Sequence, residues 1–143
     1  MQTTPIEINL SLINQKVKFS CVSSAKADQP ITVDYLPPLG DGEGFLGLEL
    51  LVMSFAGCVS TGIVGILRRM GKSVLNYSMI ATGYKLESPL VLEKIHFEVM
   101  VESSDLSDED MQKGLSMAEK ISPVWIALKN NVEVTWQYKI LAS

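Results

Sequence analysis

LLVMSFAGCVSTGIVGIL, from Leu50 to Leu67, is 18 residues without a charge. As a helix it would extend about 27 Å at 1.5 Å per residue, roughly the thickness of a bilayer's hydrocarbon core. Arg68 and Arg69 follow it, where a helix C-terminus and a cytoplasmic membrane edge both favour cations. Ser54, Cys58 and Gly62 fall four apart, as do Thr61 and Gly65, a spacing that lets helices approach closely in lipid. The alternative is a central helix of a soluble protein, buried on nearly every side and therefore apolar all round. Three features favour it. Glu49 abuts the run, no aromatic belt marks either end, and the flanking segments read as amphipathic strands that need a core to cover. Small residues at this spacing serve equally well where two buried helices of a dimer cross. The expectation is a buried helix, no membrane, and a protein that stays in the supernatant after high-speed centrifugation.

Upstream, Ile6, Ile8, Leu10 and Leu12 alternate with Glu7, Asn9 and Ser11, which predicts a half-buried strand. Asn14-Gln15 suits a tight turn. Val17, Phe19 and Cys21 then alternate with Lys16, Lys18 and Ser20, a second strand with Cys21 on its inner face. A third is expected at Ile31–Tyr35, before a loop rich in proline and glycine from Pro37 to Gly47. Downstream, Gly71 stops the helix. Strands are expected near Tyr77–Leu86 and Leu92–Val101, the latter with Ile95, Phe97, Val99 and Val101 inward and His96 on the polar face. Ser107 followed by Asp108, Glu109 and Asp110 is a helix N-terminus, opening a helix to about Ile121. Ser122-Pro123 reads as a second cap with proline at the first helical position. Val132, Val134, Trp136, Tyr138 and Ile140 alternate as a last strand. The order βββ-α-ββ-αα-β with hairpin-length connections predicts an α+β fold, mainly antiparallel, in a single domain over residues 1–143.

Composition narrows the function classes. The 143 residues carry 12 Lys+Arg and 16 Asp+Glu, a net charge of −4, so no basic nucleic-acid face is expected. At 47% hydrophobic the chain is too apolar to be disordered. Cys21 and Cys58 cannot build a disulfide scaffold or a Cys₄ zinc site. The only histidine is His96, and the carboxylates Asp105, Asp108, Glu109 and Asp110 lack a calcium-loop spacing; no metal and no cofactor is expected. Met1-Gln2-Thr3-Thr4-Pro5 lacks the charged and apolar regions of a signal peptide, which predicts a cytoplasmic protein.

Cys58 is the candidate reactive group. Free cysteine is among the most buried residue types and is often only a small hydrophobe in the core. A reactive one needs its thiolate stabilised by a nearby cation or a helix N-terminus, and a mid-run position offers little of either. Glu49-Leu50-Leu51 with Ala56-Gly57-Cys58 resembles the E-L-L-x-x-x-x-A-G-C stretch of the OsmC/Ohr family of thiol-dependent peroxidases. Arg68-Arg69-Met70-Gly71 is similar to the basic end of that family's central helix. Ala118-Glu119-Lys120-Ile121-Ser122-Pro123-Val124 resembles its A-E-x-x-C-P-V motif, and the likeness runs from about Asp34 to the C-terminus.

The resemblance implies an intertwined homodimer with sheets wrapped on long central helices. It also implies reduction of organic hydroperoxides through a peroxidatic cysteine, at the position of Cys58. That thiolate would become a sulfenic acid, which a second thiol condenses to a disulfide. Here Ser122 replaces the resolving cysteine, and a hydroxyl cannot do that step. The strand arginine of the peroxidases is missing too; Lys16 or Lys18 could supply only a point charge. Glu49 matches the family's acidic position, yet nine residues of helix set it about 13.5 Å from Cys58 and nearly on the opposite face; it serves equally as a first-turn carboxylate.

Two functional readings follow. The first is a single-cysteine peroxidase using Cys58, a small hydroperoxide and an external thiol. The alternative is a non-catalytic dimer whose interface pocket binds a small apolar ligand.

Overall fold

A computed structural model describes residues 3–143, so Met1 and Gln2 of the leader expectation lie outside the described residues. The chain forms two compact units, one ending at Leu50 and the other running from Leu51 to Ser143.

In the first unit β1 (Ile8–Leu12), β2 (Phe19–Ser23) and β3 (Ile31–Val33) form an antiparallel sheet in that order. β1 corrects the expectation of a half-buried strand: every residue in it is exposed, Ile8 and Leu10 at 57% and Leu12 at 54%. Period two assigns side chains to faces, but it does not say that a second layer covers the apolar one. The loop after β3 is organised by Asp34, which is 2% exposed. Its carboxylate accepts the backbone N–H groups of Tyr35 (2.7 Å), Glu43 (3.1 Å) and Asp41 (3.2 Å). Gly40 is required there, since a Cβ would collide with the Tyr35 carbonyl.

Helix α1 (Gly47–Arg69) has 23 residues and a mean hydropathy of 2.1 over its most apolar window, long and apolar enough to cross a membrane. Its start is a reciprocal cap in part: Glu49 Oε1 accepts the Leu46 N–H at 2.8 Å. Its end is a Schellman motif. Gly71, at φ +81, donates to the Arg68 carbonyl at 3.0 Å and Lys72 to Leu67 at 3.1 Å, the left-handed turn that glycine accommodates without strain. The helix is not buried on nearly every side. Phe55, Val59, Ile63, Ile66 and Leu67 form one buried face, and only 28% of the apolar window is covered. The opposite face carries Ser54, Gly57, Thr61 and Gly65 in the open.

The second unit adds β4 (Asn76–Glu87), β5 (Leu90–Ser103), α2 (Asp108–Ile121), α3 (Pro123–Leu128) and β6 (Glu133–Ala142). The element order is the one the sequence predicts, and the chain is α+β. One relation differs. β4 and β5 pair antiparallel, whereas β6 lies parallel to β5 with Ile95 beside Val134 and Phe97 beside Trp136. The intervening helices provide the crossover that a parallel pair demands. Ile95, Phe97, Val99 and Val101 bury one face of β5 against α1 and α2. Phe55, Phe97, Trp125 and Trp136 meet with centroids 5.6–6.0 Å apart. His96, expected in solvent, is half-buried with Nδ1 2.7 Å from the Thr135 hydroxyl.

Ser107 caps α2 and closes a reciprocal box with Asp110, so the acidic run serves the helix, as its spacing suggests. The backbone N–H of Ser107 holds the Asp110 carboxyl below its ordinary value, and the Ser73 N–H does the same for Asp105. Burial pushes Asp34 upward, but its three N–H donors outweigh that and leave it lowered. A carboxyl depressed by folding stabilises above its unfolded pKa of about 3.9 and loses that contribution as pH falls through the folded value. The thermal midpoint is therefore expected to hold between about pH 7 and 5 and to fall below about pH 4. Asp105→Asn should make that fall shallower. An equally steep acid profile in the variant would show that these bonds do not set it.

Candidate active site

Cys58 and Ser122 come together through a ladder of matched contacts between α1 and α2. α1 and α2 run antiparallel: Cys58 meets Ser122, Gly62 faces Ala118 and Leu67 faces Gly114, so steps of four and five along α1 are matched by steps of four back along α2. Small residues set the approach. A Cβ on Gly62 would lie 3.6 Å from Ala118 Cβ, and one on Gly114 would lie 3.0 Å from a Leu67 methyl. From Gly62 and Ala118 one step of four on each helix brings Cys58 against Ser122.

The Ser122-Pro123 pair decides where the serine points. Proline disfavours helical geometry in the residue before it, so Ser122 is extended at φ −71 and ψ 115 and ends α2. Its N–H reaches the Ala118 carbonyl at 2.9 Å and its carbonyl accepts from Ile126 at 2.9 Å. The expected capping bond from its side chain to α3 is not made. Instead the hydroxyl, on a residue 2% exposed, donates to Cys58 Sγ at 3.2 Å.

Cys58 is half-buried and opens on a groove of about 400 Å³. Gly62, Gly65 and Ile66 line it from α1, Ile121 and Pro123 from the other side, and Arg69 at its far end. The presence of Arg69 is not apparent from composition. The signal is its spacing, since eleven residues after Cys58 is three turns and the same face. Glu49 does not line this groove; its carboxylate serves the helix cap. Lys16 and Lys18 are engaged by Asp41 (2.6 Å) and Glu43 (3.3 Å). Cys21 is half-buried in β2 and forms no disulfide.

Asp34, Asp41 and Glu43 bring carboxylate oxygens within 4.8 Å of one another. Contacts within the chain engage all three. Asp34 accepts three backbone N–H groups, and Asp41 and Glu43 pair with Lys16 and Lys18.

An α+β chain with a cysteine on a long apolar helix, facing a serine-proline break, defines a class of protein. The profile of the OsmC-like protein family matches residues 40–137, and the chain belongs to this OsmC/Ohr family. No curated protein sequence matches it. Solved structures agree in fold. An OsmC-like protein from Mycoplasma pneumoniae superposes with a TM-score of 0.81 at 16% identity, over 98% of this chain and 99% of its own. A hypothetical protein from Aquifex aeolicus gives 0.82 at 18% identity, over 99% of each chain. An organic hydroperoxide resistance protein OsmC from Legionella pneumophila gives 0.73 at 14% identity, over 97% of this chain and 99% of its own.

Proposed function

We propose that this protein is a cytoplasmic, homodimeric thiol-dependent hydroperoxide reductase that works through one cysteine, Cys58. The observation that carries the reading is the Ser122 hydroxyl donating to Cys58 Sγ at the mouth of an open groove. Structurally similar proteins named for organic hydroperoxide resistance support it.

The thiolate attacks the distal oxygen of a hydroperoxide; the S–O bond forms as the O–O bond breaks, and the departing alkoxide takes a proton to leave as alcohol. Cys58 is left as a sulfenic acid, and the Ser122 hydroxyl can hold it in place. Serine cannot form a disulfide, so an external thiol must restore the cysteine. The dimer reading rests on the uncovered face of α1. Gly57 does not line the groove, and a Cβ there would meet nothing within 4 Å, which leaves room for a second apolar helix to lie close.

The test is intact-mass analysis after titration with cumene hydroperoxide. Wild type is expected to gain one oxygen atom, and with excess thiol to consume the hydroperoxide catalytically. Cys58→Ser should show neither, leaving only the uncatalysed rate. A wild-type protein that stays unoxidised favours a non-catalytic dimer whose groove, lined mainly by apolar atoms, binds a small apolar ligand.

A further inference from the structure

Arg69 lines the Cys58 groove, and the peroxidase reading gives it no task. It stands about 16 Å beyond Cys58 along the helix axis. Both residues nevertheless line the one groove. Among the described residues Arg69 has no hydrogen-bond or ion-pair partner, while its neighbour Arg68 donates to the Val74 carbonyl at 3.2 Å. No acidic side chain lines the groove.

We propose that Arg69 makes this groove the binding site of an anionic low-molecular-weight thiol, the reductant that regenerates Cys58. This rests on the peroxidase reading and names its second substrate. With serine at position 122, each turnover must place an exogenous thiol on Cys58. The incoming thiol sulfur forms an S–S bond with Sγ, the sulfenic S–O bond breaks, and the hydroxide leaves as water with the thiol's proton. A second thiol molecule attacks the outer sulfur, frees Cys58 as thiolate and departs as the symmetrical disulfide. Two thiols are thereby oxidised for each hydroperoxide reduced to alcohol and water. A hydroperoxide needs only to touch Sγ, whereas the thiol adduct is held covalently and its chain must lie in the groove. The cation lining the same groove selects an adduct that ends in a carboxylate, and the planar guanidinium fork suits that group.

Cys58 oxidised with the neutral cumene hydroperoxide is reacted with glutathione or with glutathione diethyl ester, the rates being compared per thiolate. Wild type is expected to react about tenfold faster with glutathione, and Arg69→Gln to bring the two within about twofold. Arg69→Lys should keep part of the preference, and added salt should erode it. Equal preferences in wild type and Arg69→Gln overturn the proposal. It is overturned too if Arg69→Gln slows only oxidation by a carboxylate-bearing hydroperoxide, because the cation would then serve the oxidant. If Cys58 takes up no oxygen at all, the peroxidase reading fails instead. Thiol–disulfide exchange with oxidised glutathione and with its tetraethyl ester needs no peroxide, and equal rates for the two in wild type would still overturn the clamp.

Discussion

Oxidation of the Ser122→Cys variant by an organic hydroperoxide is expected to yield a disulfide between Cys58 and the introduced thiol. The serine oxygen already lies 3.2 Å from Sγ, and a sulfur at that position projects further from the backbone than oxygen does. Reaching an S–S bond of about 2.05 Å then asks for a side-chain rotation rather than a movement of either helix. The two positions are 64 residues apart in sequence, and the chain-entropy account gives roughly 4 kcal/mol of stabilisation for closing a loop of that length. Peptide mapping without reductant reads the bond, and denaturant unfolding of oxidised against reduced variant reads its effect. The chemistry changes as well. On the proposed chemistry the wild-type sulfenic acid waits for an external thiol, whereas here it would be attacked internally, so the oxygen adduct should vanish from the mass spectrum. If the variant accumulates sulfenic acid without the disulfide, the ladder that pairs α1 with α2 is wrong.

That ladder marks the limit of what was legible in the sequence. The apolar run, the capping serine of α2 and the proline after Ser122 fixed the helices from local signals, and the alternations fixed the later strands. Local signals do not choose neighbours. Phe97 and Trp136 each lie on strands with a clear period of two, yet their side-by-side parallel register follows from a crossover of two helices that no alternation encodes. Burial was overstated for the same reason. β1 and α1 are apolar enough to be covered, but composition cannot say whether the covering surface belongs to the same chain. At the site, Cys58 and position 122 were identified by resemblance, and their contact needed the antiparallel packing of α1 on α2. Ser122 looked like an ordinary cap because its identity and the following proline suit one; the side chain goes to sulfur instead. Arg69 was read as a cation at a helix end, and its three-turn spacing from Cys58 gains meaning only when that face borders a groove.

Phe55→Ala tests whether the core holds this site or merely surrounds it. Phe55 is fully buried, 6.0 Å from Phe97 and 5.6 Å from Trp125 between ring centroids. Removing the ring should cost about 3–5 kcal/mol, because the transfer loss is joined by a cavity that rigid aromatic neighbours cannot refill. The expected drop in thermal midpoint is roughly 10–20 °C for a chain of this size. The position of the cavity matters more than its depth. Phe55 lies one turn before Cys58 and packs on Trp125, three residues beyond Ser122, so the aromatic contact spans the same seam as the sulfur–hydroxyl bond. Loosening it should slow alkylation and peroxide oxidation of Cys58 in protein that is still folded. Met111→Ala supplies the contrast, since Met111 is equally buried in this core but sits in the first turn of α2. Its loss should cost about 2–5 kcal/mol while leaving the Cys58 rates near wild type. If both variants slow Cys58 in proportion to their lost stability, the thiol responds only to global loosening, and the Phe55–Trp125 contact has no separate part in holding Ser122 against the sulfur.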